Sequence, residues 1–501
     1  MALYAHYQLS YSQMAFLELV IYMAKLMPRP MNYSLRLSKV VALIVLSCST
    51  VLLAIWPIPE TIALRHGLLI LGCISSFYVL GAFKRVIFTP KAWPFWLFFC
   101  FYGWLLIHLA FFAHEYDLQL KELSSLWLRS LLATPIGLAL GLILSQQAPT
   151  DEGGAQNISP QNGHFWVVGL IFLGLCATFW VFFGRYLYEI YVTHQWLHYD
   201  FYAVPYKAKT PFVVASALFL PLCLLLITRA LQSLMNKWWI LLALLGIGLC
   251  LFGNYFSNTK NGMAIVAVAL GLFFIHSLIS MRWTFKRCLV GIPVLMIVLL
   301  MGFYGIEKHI QQNTAWPNIV EDIKLGADTE HQQYWSDRAH FPLPVNPLGN
   351  IANGSTYERT AWFTVGMKLL AEHPLGYGLA HHSFGSYAMR LWPNFYTPLG
   401  NMRGATHSGW MDFALGFGIP GLLLVLIPLF ASWYRSLFQE GIWFSYASSA
   451  IPLMIFAYLI AEVTGSHFTE LLFFMTAFFC GITLRYPRTY VPNNADEKTS
   501  R

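Results

Sequence analysis

Charge is what this 501-residue sequence has least of: Asp, Glu, Lys and Arg make up 11% of it, against roughly 25% in soluble globular chains. With 57% hydrophobic residues and a mean hydropathy of +0.55, the surplus apolar surface must face lipid. Acidic residues are the scarcer sign, 23 against 31 Lys and Arg, for a net charge of +8. The basic residues fall in short clusters between apolar runs, as membrane topology signals do, so no nucleic-acid partner is expected. The eight cysteines (Cys48, Cys73, Cys100, Cys176, Cys223, Cys250, Cys288 and Cys480) lie in or beside apolar segments. Without metal-ligand spacing they read as small buried hydrophobes, neither a disulfide framework nor a metal site. The N-terminus lacks the basic start, short apolar run and small-residue cleavage site of a secretory signal, so the expected anchors are the helices themselves. No repeat of 20 to 50 residues is found.

What is present is a succession of apolar runs of about 20 residues, the length that crosses a bilayer as a helix. They centre on 40–56, 66–83, 92–113, 125–145, 165–183, 211–228, 238–255, 262–281, 288–305, 409–431, 443–461 and 469–484. The expected fold is an all-α polytopic membrane protein of about twelve transmembrane helices, with Met1–Met23 as a further interfacial amphipathic helix. Placing the N-terminus in the cytoplasm puts seventeen Lys and Arg in inner segments and seven, among them Arg65, Arg129, Arg185, Lys209 and Lys260, in short outer ones. That bias favours both termini inside. Ser145–His164, an inner segment without Lys or Arg, reads as a flexible linker. The domain division is 1–305 for the first nine helices, 306–406 for a large outer loop, 407–485 for the last three helices and 486–501 for a tail expected to be disordered. A loop of that length is functional or disordered. Its Trp, Tyr, His and Pro content favours order.

Three constellations could carry chemistry. Ser355-Thr-Tyr-Glu358 has the spacing of a capping box, predicting a helix that runs through Arg359, Trp362, Val365 and Leu369 and stops at His373-Pro374. Arg359 then lies in the first helical turn, where free N–H groups attract anions, and its guanidinium can grip phosphate through two parallel hydrogen bonds. An Arg paired with a nearby carboxylate would look the same. Where the loop re-enters the membrane, His407, Met411, Ala414, Gly418 and Gly421 follow the spacing of one helix face, whose small residues allow close helix approach. His407 would sit at its outer mouth, at a helix N-terminus that favours the neutral imidazole able to accept a proton from a hydroxyl. A packed structural histidine is the plainer alternative. In the outer turn Asn254–Gly262, Lys260 is a cation at the depth of lipid-borne phosphate, or a lysine that snorkels to headgroups. Arg129, Arg185 and Arg403 are further outward cations.

Together these residues resemble the O-antigen ligase and polymerase superfamily. The resemblance rests on His407-Ser408, nine residues, then Gly418-Ile-Pro-Gly421, and on Glu358-Arg359-Thr-Ala-Trp362 leading to Glu372-His373-Pro374-Leu-Gly376-Tyr-Gly378. The specific motifs cover roughly residues 250–425. One departure is Lys260, where the family commonly has Arg in a Ser-Arg-Gly-like turn: the charge is kept and bidentate geometry lost. The resemblance implies a GT-C-like glycosyltransferase architecture in a Gram-negative inner membrane, with its site facing the periplasm. It implies metal-independent, inverting transfer of O-antigen from undecaprenyl pyrophosphate to a hydroxyl of lipid A-core, in contact with membrane lipids and without a cofactor. His407 and Arg359 would be the catalytic residues, and Arg359, Lys260, Arg185 and Arg403 would bind phosphate. Trp316, Trp335, Trp362 and Trp392 could stack on sugars, although core packing suits most of them. O-antigen polymerase and protein O-oligosaccharyltransferase use the same kind of donor. A transporter would show repeated halves and broken helices with polar residues at the midplane, whereas the polar candidates here gather at one outer face.

Overall fold

The computed structural model describes residues 39–484, apart from 59, 146–164, 197–205, 207, 233–234, 281–284, 314, 381–382, 393–403 and 462–465. The expectations for Met1–Met23, for nearly all of Ser145–His164, for the tail and for Arg403 lie outside these residues.

Each of the twelve apolar runs forms a helix, the one open structure that pairs every backbone polar group within lipid. They are α1 (Lys39–Ile55), α2 (Ile62–Ala82), α3 (Trp93–Phe111), α4 (Leu128–Ser145), α5 (Phe165–Thr193), α6 (Thr210–Leu231), α7 (Trp238–Phe256), α8 (Lys260–Ser280) and α9 (Phe285–Gln312). Three helices follow in the loop, α10 (Ile319–Ala327), α11 (Gly354–Glu372) and α12 (Ser383–Leu391). The chain then returns to the membrane as α13 (Gly409–Leu437), α14 (Ile442–Ile460) and α15 (Ser466–Ile482). Among the described residues, nine helices are long and apolar enough to cross a membrane, and three shorter apolar ones, beginning at Lys39, Lys260 and His467, complete the twelve. The protein is an all-α polytopic membrane protein. Ile74 and Phe77 on α2, Leu241 on α7 and Leu300 and Phe303 on α9 present exposed apolar surface, which lipid covers.

Helix α6 is buried along almost its whole length and forms the centre of one half of the bundle. In the other half, α4 and α15 interlock. A Cβ at Gly137, Gly141 or Gly481 would collide with the facing backbone at Phe474, Phe478 or Leu138, so small residues set this approach. Near the start of α15, Glu470 is fully buried, accepts the Trp56 indole N–H at 3.1 Å and pairs with Arg65 and Arg129. Arg129 therefore belongs to a buried ion cluster that ties α2, α4 and α15 together. The described cysteines are free thiols, six buried and Cys100 exposed on α3, and only Cys100 departs from the expected burial.

The described part of the long loop packs around a core of its own, in which Trp335, Tyr357, Trp362, Tyr387 and Met411 come together. Three local expectations need correction. The cap of α11 is Asn353, whose side chain accepts the Thr356 N–H at 3.2 Å; Ser355 is the second residue of the helix, and Glu358 pairs with Arg338 at 2.8 Å instead of reaching back. Arg359 accordingly lies in the second turn. Helix α9 continues to Gln312, past the expected end of its span, so the loop begins as a helix. The face through His407, Met411, Ala414, Gly418 and Gly421 is interrupted: His407 precedes the helix, and Gly418 has φ +69° and ψ −176°.

That break has a clear cause. The loop strand at Pro374–Gly378 lies against it, with Tyr377 N–H donating to Leu415 O at 2.7 Å, Gly378 N–H to Gly416 O at 2.6 Å and Ile419 N–H to Pro374 O at 2.8 Å. The Trp104 indole caps the freed Phe417 carbonyl at 2.8 Å. Only glycine tolerates both the backbone angles and the contact, since a Cβ at Gly418 would strike Pro374 O and Leu375.

Candidate active site

Four elements converge at one end of α11: the start of α8, the end of α14, the residues just before α13, and α11 itself. Lys260, the first residue of α8, donates to Asn353 Oδ1 and Thr356 Oγ1, both at 3.3 Å. One turn along, Arg359 Nη1 reaches the Ile460 carbonyl at 3.4 Å. Asn261 donates to that same carbonyl, at the helix end where the macrodipole is negative and cations are favoured. A turn further, the Trp362 indole stacks on His407, with ring centroids 5.3 Å apart and planes 25° apart. Thr356 and Trp362 are six residues apart, so roughly 9 Å of helix axis separates the lysine from the imidazole.

His407 is a partly exposed residue at φ +59°, a conformation that costs a non-glycine residue energy and clusters at functional sites. Its neighbours hold it there. Thr406 donates both its N–H and its hydroxyl to Asp412 Oδ1 at 2.8 Å, and Gly409 N–H donates to Ala461 O at 2.9 Å. The chain is pinned on either side of His407, which precedes the helix rather than lying in its first turn.

The field at this end is positive. Lys209 joins Lys260 and Arg359, donating to Asn258 O at 3.2 Å. Lys260 is half-buried and faces the charges of Arg359 and Lys209, with Asp322 as an opposing charge. Asp322 is fully buried and accepts the Asn353 N–H at 3.0 Å and Asn346 Nδ2 at 3.2 Å, which fixes the residue that holds Lys260. Glu358 lies on the His407 side, its carboxyl raised by burial, which outweighs the charges of Arg338, His407 and Arg359. Cations held close together by buried contacts, with fewer carboxylates than cations around them, suit a multiply charged anion better than a lone carboxylate.

Lys260, Arg359 and His407 are thus brought together, and Arg185 is not placed with them. It pairs with Glu189 one turn along α5 and lies over the Tyr188 ring, 5.0 Å from its centroid. Trp335 and Trp362 are buried, and Trp335 meets Trp392 edge to face at 4.8 Å, so these three serve packing first. Sequence reasoning missed Lys209, Asp322, Arg338 and Asp412 as site residues. Lys209 was within reach as an outward lysine just before a span; Asp322, Arg338 and Asp412 carry no local signature.

Residues 243–426 match the family model described as O-Antigen ligase. That segment runs from within α7 to within α13 and contains Lys260, Arg359 and His407. No curated protein matches the chain.

Proposed function

The chain belongs to the O-antigen ligase/polymerase family, and on that premise we propose that it transfers O-antigen polysaccharide from undecaprenyl pyrophosphate to a sugar hydroxyl of lipid A-core. The reaction takes place on the periplasmic face of the Gram-negative inner membrane. The observation that carries this reading is the convergence of Lys260, Arg359 and His407 at one end of α11.

In the proposed mechanism the acceptor oxygen attacks the anomeric carbon of the donor sugar. The bond from that carbon to the pyrophosphate oxygen breaks, and undecaprenyl pyrophosphate leaves with the bonding pair. A single displacement inverts the anomeric centre. The hydroxyl proton passes to the His407 imidazole, a step in which a positioned base contributes about 10²–10⁴-fold. Arg359 and Lys260, with Lys209 behind them, stabilise the charge that develops on the leaving group, which preorganised cations do without reorganising. Arg185, bound within α5, has no part in this scheme.

Deleting the gene and separating lipopolysaccharide on a gel tests the reading. A ligase leaves lipid A-core bare while long chains remain on the lipid carrier. Core capped by single repeat units would instead identify a polymerase and overturn the proposal.

A further inference from the structure

A second cluster of imidazole, guanidinium and aromatic groups lies at the other end of α11. His114, just past the end of α3, stacks on Tyr377 with centroids 4.8 Å apart and planes 18° apart. His373, just past the end of α11, stacks on Tyr387 at 4.9 Å and 18°. The two imidazoles face each other edge to face at 6.5 Å, and the Arg390 guanidinium of α12 lies over Tyr377 at 5.2 Å. The tyrosines are buried and form the floor, while His114, His373 and Arg390 are exposed. Tyr377 donates its hydroxyl to Glu115 Oε1 at 2.8 Å, so this carboxylate is engaged. The Tyr387 hydroxyl, on a side chain only 3% exposed, has no hydrogen-bond partner, an unusual state for a buried polar atom.

The rim is apolar. Phe111, the last residue of α3, is 76% exposed, and Leu375, Met389 and Leu391 beside the cluster are exposed as well. One guanidinium and two imidazole donors over an aromatic floor at the end of a membrane span, bordered by bare apolar side chains, suit a ligand that is anionic at one end and lipidic at the other.

We propose that His114, His373 and Arg390 form a second anion site, which holds the phosphorylated saccharide headgroup of a membrane amphiphile, the acceptor. The identification of that amphiphile as acceptor rests on the transferase reading above. Trp362, against His407, and His373 are eleven residues apart, roughly 16 Å along a helix. A single sugar does not bridge that span. An oligosaccharide does, so phosphates held at His373 and Arg390 leave a distal hydroxyl free to reach His407. The donor diphosphate and the acceptor phosphates then occupy opposite ends of one helix and do not compete.

Binding to the full chain in phosphatidylcholine nanodiscs, without donor, tests this independently of transfer. The probes are phosphorylated lipid A-core, the same glycolipid after phosphatase treatment, and inorganic phosphate. The wild-type chain should bind the phosphorylated glycolipid at least tenfold more tightly than the dephosphorylated one. Arg390→Ala, and separately His114→Ala with His373→Ala, should reduce that ratio towards one, while Arg390→Lys retains part of it and undecaprenyl pyrophosphate binding stays unchanged. Equal wild-type affinity for both glycolipids, or an unchanged ratio in the variants, would overturn the site. Competition by inorganic phosphate at the glycolipid's own concentration would overturn the membrane source of the ligand. If phosphorylated glycolipid binds as stated and no transfer is found, the anion site stands and the transferase reading fails.

Discussion

Lys260 is half-buried beside Arg359 and Lys209 and is held by Asn353 and Thr356. Lys260→Ala should therefore lower the affinity for undecaprenyl pyrophosphate. Lys260→Arg, which keeps the charge, should retain most of that affinity; undiminished affinity in Lys260→Ala would remove Lys260 from the phosphate site. Arg359 is the complementary case, where geometry matters more than charge. Arg359→Lys keeps the positive charge and gives up the paired donors, and a charge-assisted hydrogen bond contributes about 1.5–3 kcal/mol. The expected loss in kcat/KM for transfer is roughly tenfold to a hundredfold, and near-normal turnover would make Arg359 a structural residue.

Helix α13 shows how one backbone break organises the site. Because Gly418 leaves the helical region, the amides of Tyr377 and Gly378 can bond to Leu415 and Gly416, and the loop closes onto the re-entering helix. Gly418→Ala should cost about 1–3 kcal/mol for the backbone alone, with the Cβ collision in addition. Thermal unfolding in detergent should show a clearly lowered Tm, and an unchanged Tm would contradict the account of the break. The motif was legible in the sequence as His407 followed by a Gly-x-x-Gly pair, yet its regular spacing predicted an unbroken face. Spacing reports what a helix would present, whereas the break is imposed by Pro374–Gly378, forty residues upstream. The start of α11 failed in the same way: Ser355 and Glu358 have capping-box spacing, but Asn353, held by Asp322, takes the cap and Arg338 takes the glutamate.

Among the described residues, the apolar runs marked every membrane helix because lipid leaves the backbone no alternative to internal hydrogen bonding. What hydropathy could not supply was which helices meet. Arg65, Arg129 and Glu470 come from three separate spans, and their union is a property of the packed bundle. Glu470→Gln keeps the shape of the side chain and leaves two buried guanidinium groups without a counter-charge, so it should cost about 3–5 kcal/mol. Reduced Tm and reduced membrane abundance should follow; wild-type stability would show that the cluster does not join α2, α4 and α15. The same dependence on distant segments explains why Lys260, Arg359 and His407 were legible as individual candidates, while Asp322, Arg338 and Asp412, which complete their surroundings, were not.

The central claim separates holding the diphosphate from moving the proton, and one measurement addresses both: equilibrium binding of undecaprenyl pyrophosphate to the purified chain, beside single-turnover transfer, for His407→Ala and Arg359→Ala. His407→Ala should bind the lipid as tightly as the wild type and transfer at least a hundredfold more slowly, while Arg359→Ala should lose binding and transfer together. A His407→Ala chain that transfers at the normal rate, or an Arg359→Ala chain that binds the lipid with undiminished affinity, would contradict it.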